Sequence, residues 1–293
     1  MLLSCSGTPR LWLALDRSPL PPPIVHPPRR PVPVLLSVPH SGRDYPHWLL
    51  ANAAGGRAAL ESLEDPLVDR LVWRALAGGI GAVVARAPRA AIDCNRAAEE
   101  VDPAVIADAA SEAVGVRARG GLGIVPSRTV PHGRLWRRPI DRAELERRIA
   151  EAHTPFHAAL AEALERLVDA HGKALLIDCH SMPGRSGQAQ IIIGDRHGGS
   201  AAPWLAAHAA AIAQADGWSA ALNDPYAGGY VVERHGRPER GIHALQLEID
   251  RACYLAPNRR GAGPGFDQAA RLIERLAFGL AEALAAPDAI AAE

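Results

Sequence analysis

Several things are scarce in this 293-residue chain, and each scarcity narrows what it can be. The four cysteines (Cys5, Cys94, Cys179 and Cys253) are scattered and form no C-x-x-C pair. That argues against a thiolate zinc site and against a disulfide scaffold. Charge of neither sign is in excess, since Lys+Arg and Asp+Glu both number 32. The balance leaves no electrostatic footprint for nucleic acid and no polybasic patch for a membrane surface. No run approaches the roughly 20 apolar residues of a membrane span. Leu3-Ser4-Cys5 lacks the charged and apolar stretches that would make it a lipoprotein signal. A cytoplasmic, enzyme-like protein that meets a small molecule at a local site is the expectation.

What is present suits a single globular domain. Hydrophobic residues make up 48% and charged residues 22%, and the length affords a sizeable core. Prolines crowd residues 19–31, so residues 1–31 read as a poorly ordered arm and residues 32–288 as the folded domain. Apolar runs predict strands near 32–38, 82–85, 90–92, 175–180, 190–193, 229–232 and 243–249. Three- to four-residue spacing predicts helices over 58–76, 204–215 and 268–285. A further helix opens at the capping box Asp141-x-x-Glu144, is kinked or broken by Pro155 and stops near Gly172. Residues 98–138 look irregular. Strands alternating with helices predict a three-layer α/β/α fold on a mixed, mostly parallel sheet.

Chemistry concentrates where strands end. Leu175-Leu-Ile-Asp-Cys-His-Ser-Met-Pro-Gly184 is a buried strand that turns polar. Asp178 and His180 share one face of it and Cys179 points away. His40 follows the 32–38 strand, and Glu248 lies in the 243–249 strand. A catalytic zinc takes three protein ligands of these types and leaves a position for water, which a separate carboxylate can deprotonate. The chain supplies His40 and His180 as nitrogen ligands, an acid from Glu64 or Asp65, and Glu248 as base. It has no H-E-x-x-H, and Arg43 stands where H-x-x-E would need its acid. A capped strand with a hydrogen-bonded histidine fits the same spacing. Asn95-Arg96 is suited to grip a carboxylate, although Asp93 could simply pair with an arginine. Gly228-Gly229 with Arg234 forms another polar loop. His26, His47, His153, His157, His171, His197 and His208 have no supporting neighbours and read as surface or helix residues; His132 and His235 lie in loops. Ser181 is not in a G-x-S-x-G elbow, and Cys179 reads as a small buried residue.

Six short motifs occur in order: Val38-Pro-His-Ser-Gly42, Glu64-Asp-x-x-Val-Asp69, Ile92-Asp-x-Asn-Arg96, Asp178-Cys-His-Ser181, Gly228-Gly-Tyr230 with Arg234-His235-Gly236, and His243-Ala-x-Gln-x-Glu248. Across residues 32–255 this set resembles the N-formylglutamate amidohydrolase family. The resemblance implies a zinc carboxypeptidase-like fold with one Zn²⁺ at the edge of the sheet. It implies His40, Asp65 and His180 as ligands (Glu64 the rival acid) and Glu248 as general base. Asn95, Arg96 and Arg234 would hold substrate carboxylates, with Ser41 and Asp178 in support. The implied reaction is N-formyl-L-glutamate plus water to formate and L-glutamate. Another N-acyl amino acid amidase, a small peptidase, or a non-catalytic relative that binds metal or amino acid are the alternatives. Residues 121–139, with Arg128, His132, Arg134, Arg137 and Arg138, depart from the histidine-utilisation enzyme of that family and suggest a divergent branch.

Overall fold

Strand Ala174–Met182 carries the division on which the molecule is built. Leu175, Ile177 and Cys179 enter one apolar cluster, while Ala174 and Leu176 enter another on the opposite face. In the computed structural model, which describes residues 18–106 and 115–286, this strand lies at the centre of a seven-stranded sheet. The strands in chain order are β1 (Ile24–His26), β2 (Val34–Val38), β3 (Gly81–Val84), β4 (Arg128–Thr129), β5 (Gly133–Arg134), β6 (Ala174–Met182), β7 (Ile191–Gly194), β8 (Ala220–Leu222) and β9 (Ile242–Asp250). Spatial order is β1-β3-β2-β6-β9-β7-β8, and β4-β5 form a separate hairpin. β3, β2, β6 and β9 run parallel; β1 runs against β3, and β7 with its parallel neighbour β8 runs against β9. The sheet is mixed and mostly parallel, as the alternation predicts.

Helices cover both faces. Phe266–Ala285 buries Leu272, Ile273, Leu276, Leu280 and Leu284, a stripe at helical spacing, on the face that holds Ile177 and Cys179. Pro203–Ala215 packs beside it. On the other face Thr154–His171 brings Phe156, Leu160, Leu164 and Leu167 against Leu35, Val83, Leu176 and Ala244. Among the described residues no helix is long and apolar enough to cross a membrane.

Departures from the predicted elements have local causes. The helix expected over 58–76 is three short ones, Gly56–Glu61, Val68–Leu71 and Trp73–Ala77. Pro66 cannot continue a helix. The chain breaks there, Leu67 takes a positive φ of 62°, and the Asp65 N–H bonds to the carbonyl of His40 at 3.0 Å. Residues 90–92 form a buried turn rather than a strand, with the Ala91 and Ile92 amides on the Pro88 carbonyl. Residues 229–232 are not a strand either: helix Tyr230–His235 starts there, and its buried Val231 and Val232 mimic a strand in so short an apolar run. Pro155 does not break its helix. Arg142–Arg148, capped by Asp141, passes through a π-helical turn, Ile149–His153, that absorbs the proline before Thr154–His171.

The proline-rich stretch is part of the sheet. β1 pairs with β3 at the edge, where proline is tolerated. Leu20 is 2% exposed, and its N–H bonds to Glu151. The folded unit therefore begins before residue 32; residues 1–17 of the expected arm, and 287–288 of the expected domain, lie outside the described residues. Leu20→Ala should cost about 2–3 kcal/mol, the low end for a buried leucine, and removal of residues 1–31 should cost more. Urea unfolding of both variants measures this; midpoints unchanged from the full chain would show an inert arm.

Candidate active site

The face of the sheet that is apolar at the start of β6 and β9 becomes polar toward their carboxyl ends. Asp178 and His180 follow Ala174 and Leu176 along β6; Gln246 and Glu248 follow Ile242 and Ala244 along β9. The register sets Asp178 opposite Gln246 and His180 opposite Glu248. Ligands of open α/β sheets gather beyond the carboxyl ends of strands. His40, just past β2, and Asp65, in the break at Pro66, complete the group.

The histidines are fixed from behind. His40 Nε2 is 2.7 Å from Asp93 Oδ1, and His180 Nε2 is 2.7 Å from Asp178 Oδ2. A carboxylate only accepts, so each Nε2 carries the proton and donates it. In the neutral rings both Nδ1 lone pairs then face Asp65 Oδ2, at 3.3 Å from His40 and 3.0 Å from His180. Lone pairs that converge in this way need protons or a cation between them. One ligand atom from each of the three residues lies within 4.8 Å of the others, and all three are buried. Carboxylates at the rear of histidine ligands are a recurrent feature of metal sites. The donor set fits a divalent metal.

In the absence of a cation, protons take its place. Burial opposes charge on Asp65, but with a proton on each Nδ1 the hydrogen bonds from His180 and His40 outweigh it and hold the carboxyl well below the usual range. Burial also opposes charge on Asp93, where Arg89 and His40 outweigh it and hold the carboxyl low. His180 is disfavoured as a cation by burial, yet Asp178, Asp65 and Glu248 raise its pKa well above 6.5. Burial pushes Glu248 up to about 7, with Asp65 adding to the rise and His180 opposing it.

A cavity of about 300 Å³ opens onto these groups. His40, Asp65, His180 and Glu248 line it together with Asn95 and Arg96. Ser41 stays close, its hydroxyl donating to the Asp65 carbonyl at 3.0 Å. Glu64 turns away, to the Tyr45 hydroxyl at 2.5 Å and to Arg260. Arg234 is not brought to the cavity: it is exposed, and it donates to the Tyr230 hydroxyl on its own helix. Arg251 is brought in, with Nη2 on Asp65 Oδ1 at 2.9 Å. Gly229 is a glycine for a reason. A Cβ there would sit 2.3 Å from Asn95 Nδ2, the amide that lies 3.2 Å from His180 Nε2.

Four groups escape the sequence reading. Asp93 serves both as the arginine partner expected, with Arg89 at 2.9 Å, and as the support of His40. His153 and His157 are helix residues, as one of the two readings had them, but buried; His235 is buried at the end of helix Tyr230–His235, not in a loop. His153 Nε2 bonds to the Arg96 carbonyl at 2.9 Å and His157 Nε2 to the Cys94 carbonyl at 3.0 Å, one on each side of Asn95. His157 Nδ1 lies 2.9 Å from His235 Nε2. The signal was available: His153 and His157 continue the Leu160, Leu164, Leu167 stripe backwards at helical spacing.

Fold and cavity define an α/β protein with a buried histidine–carboxylate centre at the carboxyl ends of its strands. The sequence model of N-formylglutamate amidohydrolase matches residues 32–255. The chain is 31% identical over 235 residues to the N-formylglutamate deformylase of Pseudomonas aeruginosa, across 76% of this chain and 82% of that one. It is 28% identical over 237 residues to the N-formylglutamate deformylase of Pseudomonas putida, with the same coverage. The crystal structure of N-formylglutamate amidohydrolase from Ralstonia eutropha JMP134 matches with a TM-score of 0.82 at 30% identity, over 90% of this chain and 98% of that one. The chain belongs to the N-formylglutamate amidohydrolase family.

The histidine support has a pH signature. Burial lowers His157 to about 2 and His235 to about 4, from an ordinary 6.5. Between pH 6.5 and 4 the unfolded chain therefore binds protons that the folded pair refuses, and stability falls as pH falls. Removing the titration should flatten this slope. The urea midpoint of the wild type should drop more between pH 7 and pH 5 than that of a His157→Gln/His235→Gln variant. Equal slopes would mean that the pair is charged in the folded protein.

Proposed function

We propose that this protein hydrolyses the formyl amide of N-formyl-L-glutamate to formate and L-glutamate, and that it uses a divalent metal, zinc, in the cytoplasm. The observation that carries the proposal is the convergence of His40 Nδ1, His180 Nδ1 and Asp65 Oδ2 beside Glu248 in one cavity. The relatives named N-formylglutamate deformylase supply the substrate.

Two nitrogens and one carboxylate oxygen are a donor set of the kind that holds zinc. When bound, such an ion polarises the amide oxygen and makes water acidic enough to attack at neutral pH. The remaining work falls to the chain. Glu248, raised to about 7 by burial, takes the proton from the attacking water and returns it to the departing amine. Gln246 Nε2 donates to Glu248 Oε1 at 3.0 Å and fixes which oxygen is free. Arg96, 7% exposed at the cavity wall, holds the substrate carboxylate and sets the register of the amide. Asp93 and Asp178 keep both imidazoles in one tautomer.

Formate release from N-formyl-L-glutamate tests the proposal. Chelator should abolish it and zinc restore it; chelator-insensitive turnover would overturn the metal assignment. Glu248→Gln should lower kcat by about a hundredfold or more while metal content stays at the wild-type level. Full turnover in that variant would remove Glu248 as the base. A His40→Ala/His180→Ala variant that still retained zinc would overturn the ligand set.

A further inference from the structure

The arginines around the cavity are unequally satisfied. Four line it: Arg89, Arg96, Arg117 and Arg251. Two are already neutralised by acids of the chain. Arg89 Nε is 2.9 Å from Asp93 Oδ2, and Arg251 Nη2 is 2.9 Å from Asp65 Oδ1. Arg96 uses Nε on the Leu122 carbonyl at 2.8 Å and Nη1 on the Asn95 carbonyl at 2.6 Å, and its ion pair with Glu100 is long at 3.9 Å. The Arg117 side chain makes no hydrogen bond or ion pair to any described residue. The Arg96–Leu122 bond ties the 115–123 stretch to the wall that carries Asn95 and Arg96. Burial opposes the charge of Arg96, Asp93 favours it, and Arg89 and Arg117 are both close enough to oppose it. Among the described residues Arg117 has no counter-ion, and Arg96 has only the long pair with Glu100 and the nearby Asp93, which Arg89 and His40 already claim. An anionic ligand is what this wall of the cavity lacks.

We infer that Arg117 is the specificity-determining residue for the side-chain carboxylate of the substrate, while Arg96 takes the α-carboxylate. The inference rests on the cavity being the site of an N-formyl amino acid. The α-carboxylate is attached to the carbon that bears the scissile nitrogen, so it must lie close to the reacting atoms. Arg96 is the arginine placed for it, because the neighbouring Asn95 reaches to 3.2 Å from His180. A glutamate side chain carries its second carboxylate two methylenes further out. Arg117 is exposed and on the same wall, which suits that outer position. Its stretch lies outside the six motifs, so substrate choice can be set there without touching the hydrolytic centre. A guanidinium with no internal partner discriminates between a carboxylate and its neutral isostere, because only the carboxylate completes its fork.

The experiment compares N-formyl-L-glutamate with N-formyl-L-glutamine, which has nearly the same shape and no side-chain charge. In Arg117→Gln the ratio of kcat/KM for the two should fall by about tenfold or more, mainly through KM. Arg117→Lys should restore part of it. An unchanged ratio, or an equal loss on both substrates, overturns the inference even if the wild type hydrolyses N-formylglutamate. Calorimetric binding of L-glutamate and L-glutamine to wild type and Arg117→Gln asks the same question without turnover. A preference for glutamate that disappears in the variant supports the inference even if the wild type releases no formate, in which case the proposed reaction fails alone. Binding that never distinguishes the two amino acids overturns it.

Discussion

The structure depends on one buried carboxylate. Asp65 receives two imidazole nitrogens on Oδ2 and a guanidinium on Oδ1, although it is 2% exposed. A carboxylate buried without partners costs several kcal/mol and would protonate instead. Here the hydrogen bonds overcome burial and the group stays ionised. Three separate segments have to converge for this: the end of β2, the end of β6, and the 3-10 turn that follows β9 and carries Arg251. The break at Pro66 is the matching local device, since a continuous helix from 58 to 76 would have left Asp65 without its bond to the His40 backbone.

The same logic explains the sheet. Parallel strands covered on both faces are usually apolar throughout. On the face toward Phe266–Ala285, β6 is apolar from Leu175 to Cys179 and β9 from Leu245 to Ile249, but on the other face they are apolar only as far as Leu176 and Ala244. Beyond those residues the covering helix gives way to the cavity, and each polar side chain finds a defined partner: Asp178 with His180, and Gln246 with Glu248 and with the Gly229 amide at 2.7 Å. The longer apolar face supplies the burial that offsets what the polar half-face costs. Rigidity follows from the same division, because His180 and Glu248 stand on central strands, not on loops.

Much of this was legible in the sequence. Period-two geometry alone puts Asp178 and His180 on one face and Cys179 on the other, and Cys179 does join the apolar cluster. The strands at 82–85 and 243–249 and the helices at 204–215 and 268–285 have strong patterns and match the structure to within two residues at either end. Illegible features depended on long-range partners. Nothing local distinguishes Glu64 from Asp65; the difference is that Tyr45 and Arg260 claim Glu64 while the histidines face Asp65. Arg234 looked as suited to a carboxylate as Arg96 does, but its place in helix Tyr230–His235 leaves it exposed. Residues 229–232 were misread because four apolar or small residues fit strand and helix equally well.

The buried histidines show how function and packing share one element. His153 and His157 sit on the core-facing stripe of their helix, where leucine would pack with less risk. They bond instead to the carbonyls of Arg96 and Cys94, which a leucine cannot do. Those carbonyls belong to an irregular turn with no sheet partner, so without the imidazoles two backbone acceptors beside Asn95 would be buried unpaired. The π-helical turn Ile149–His153 carries His153 toward that turn at the point where Pro155 would otherwise distort the helix. Burial keeps these rings neutral, so each can present one N–H donor without adding positive charge behind a wall that already holds Arg96 and Arg117. A lysine or arginine in their place would satisfy the carbonyls but add to the repulsion at that wall, and a leucine would leave the carbonyls bare. Neutral histidine meets both demands, which ties the position of Asn95 and Arg96 to the core helix rather than to the irregular turn around them.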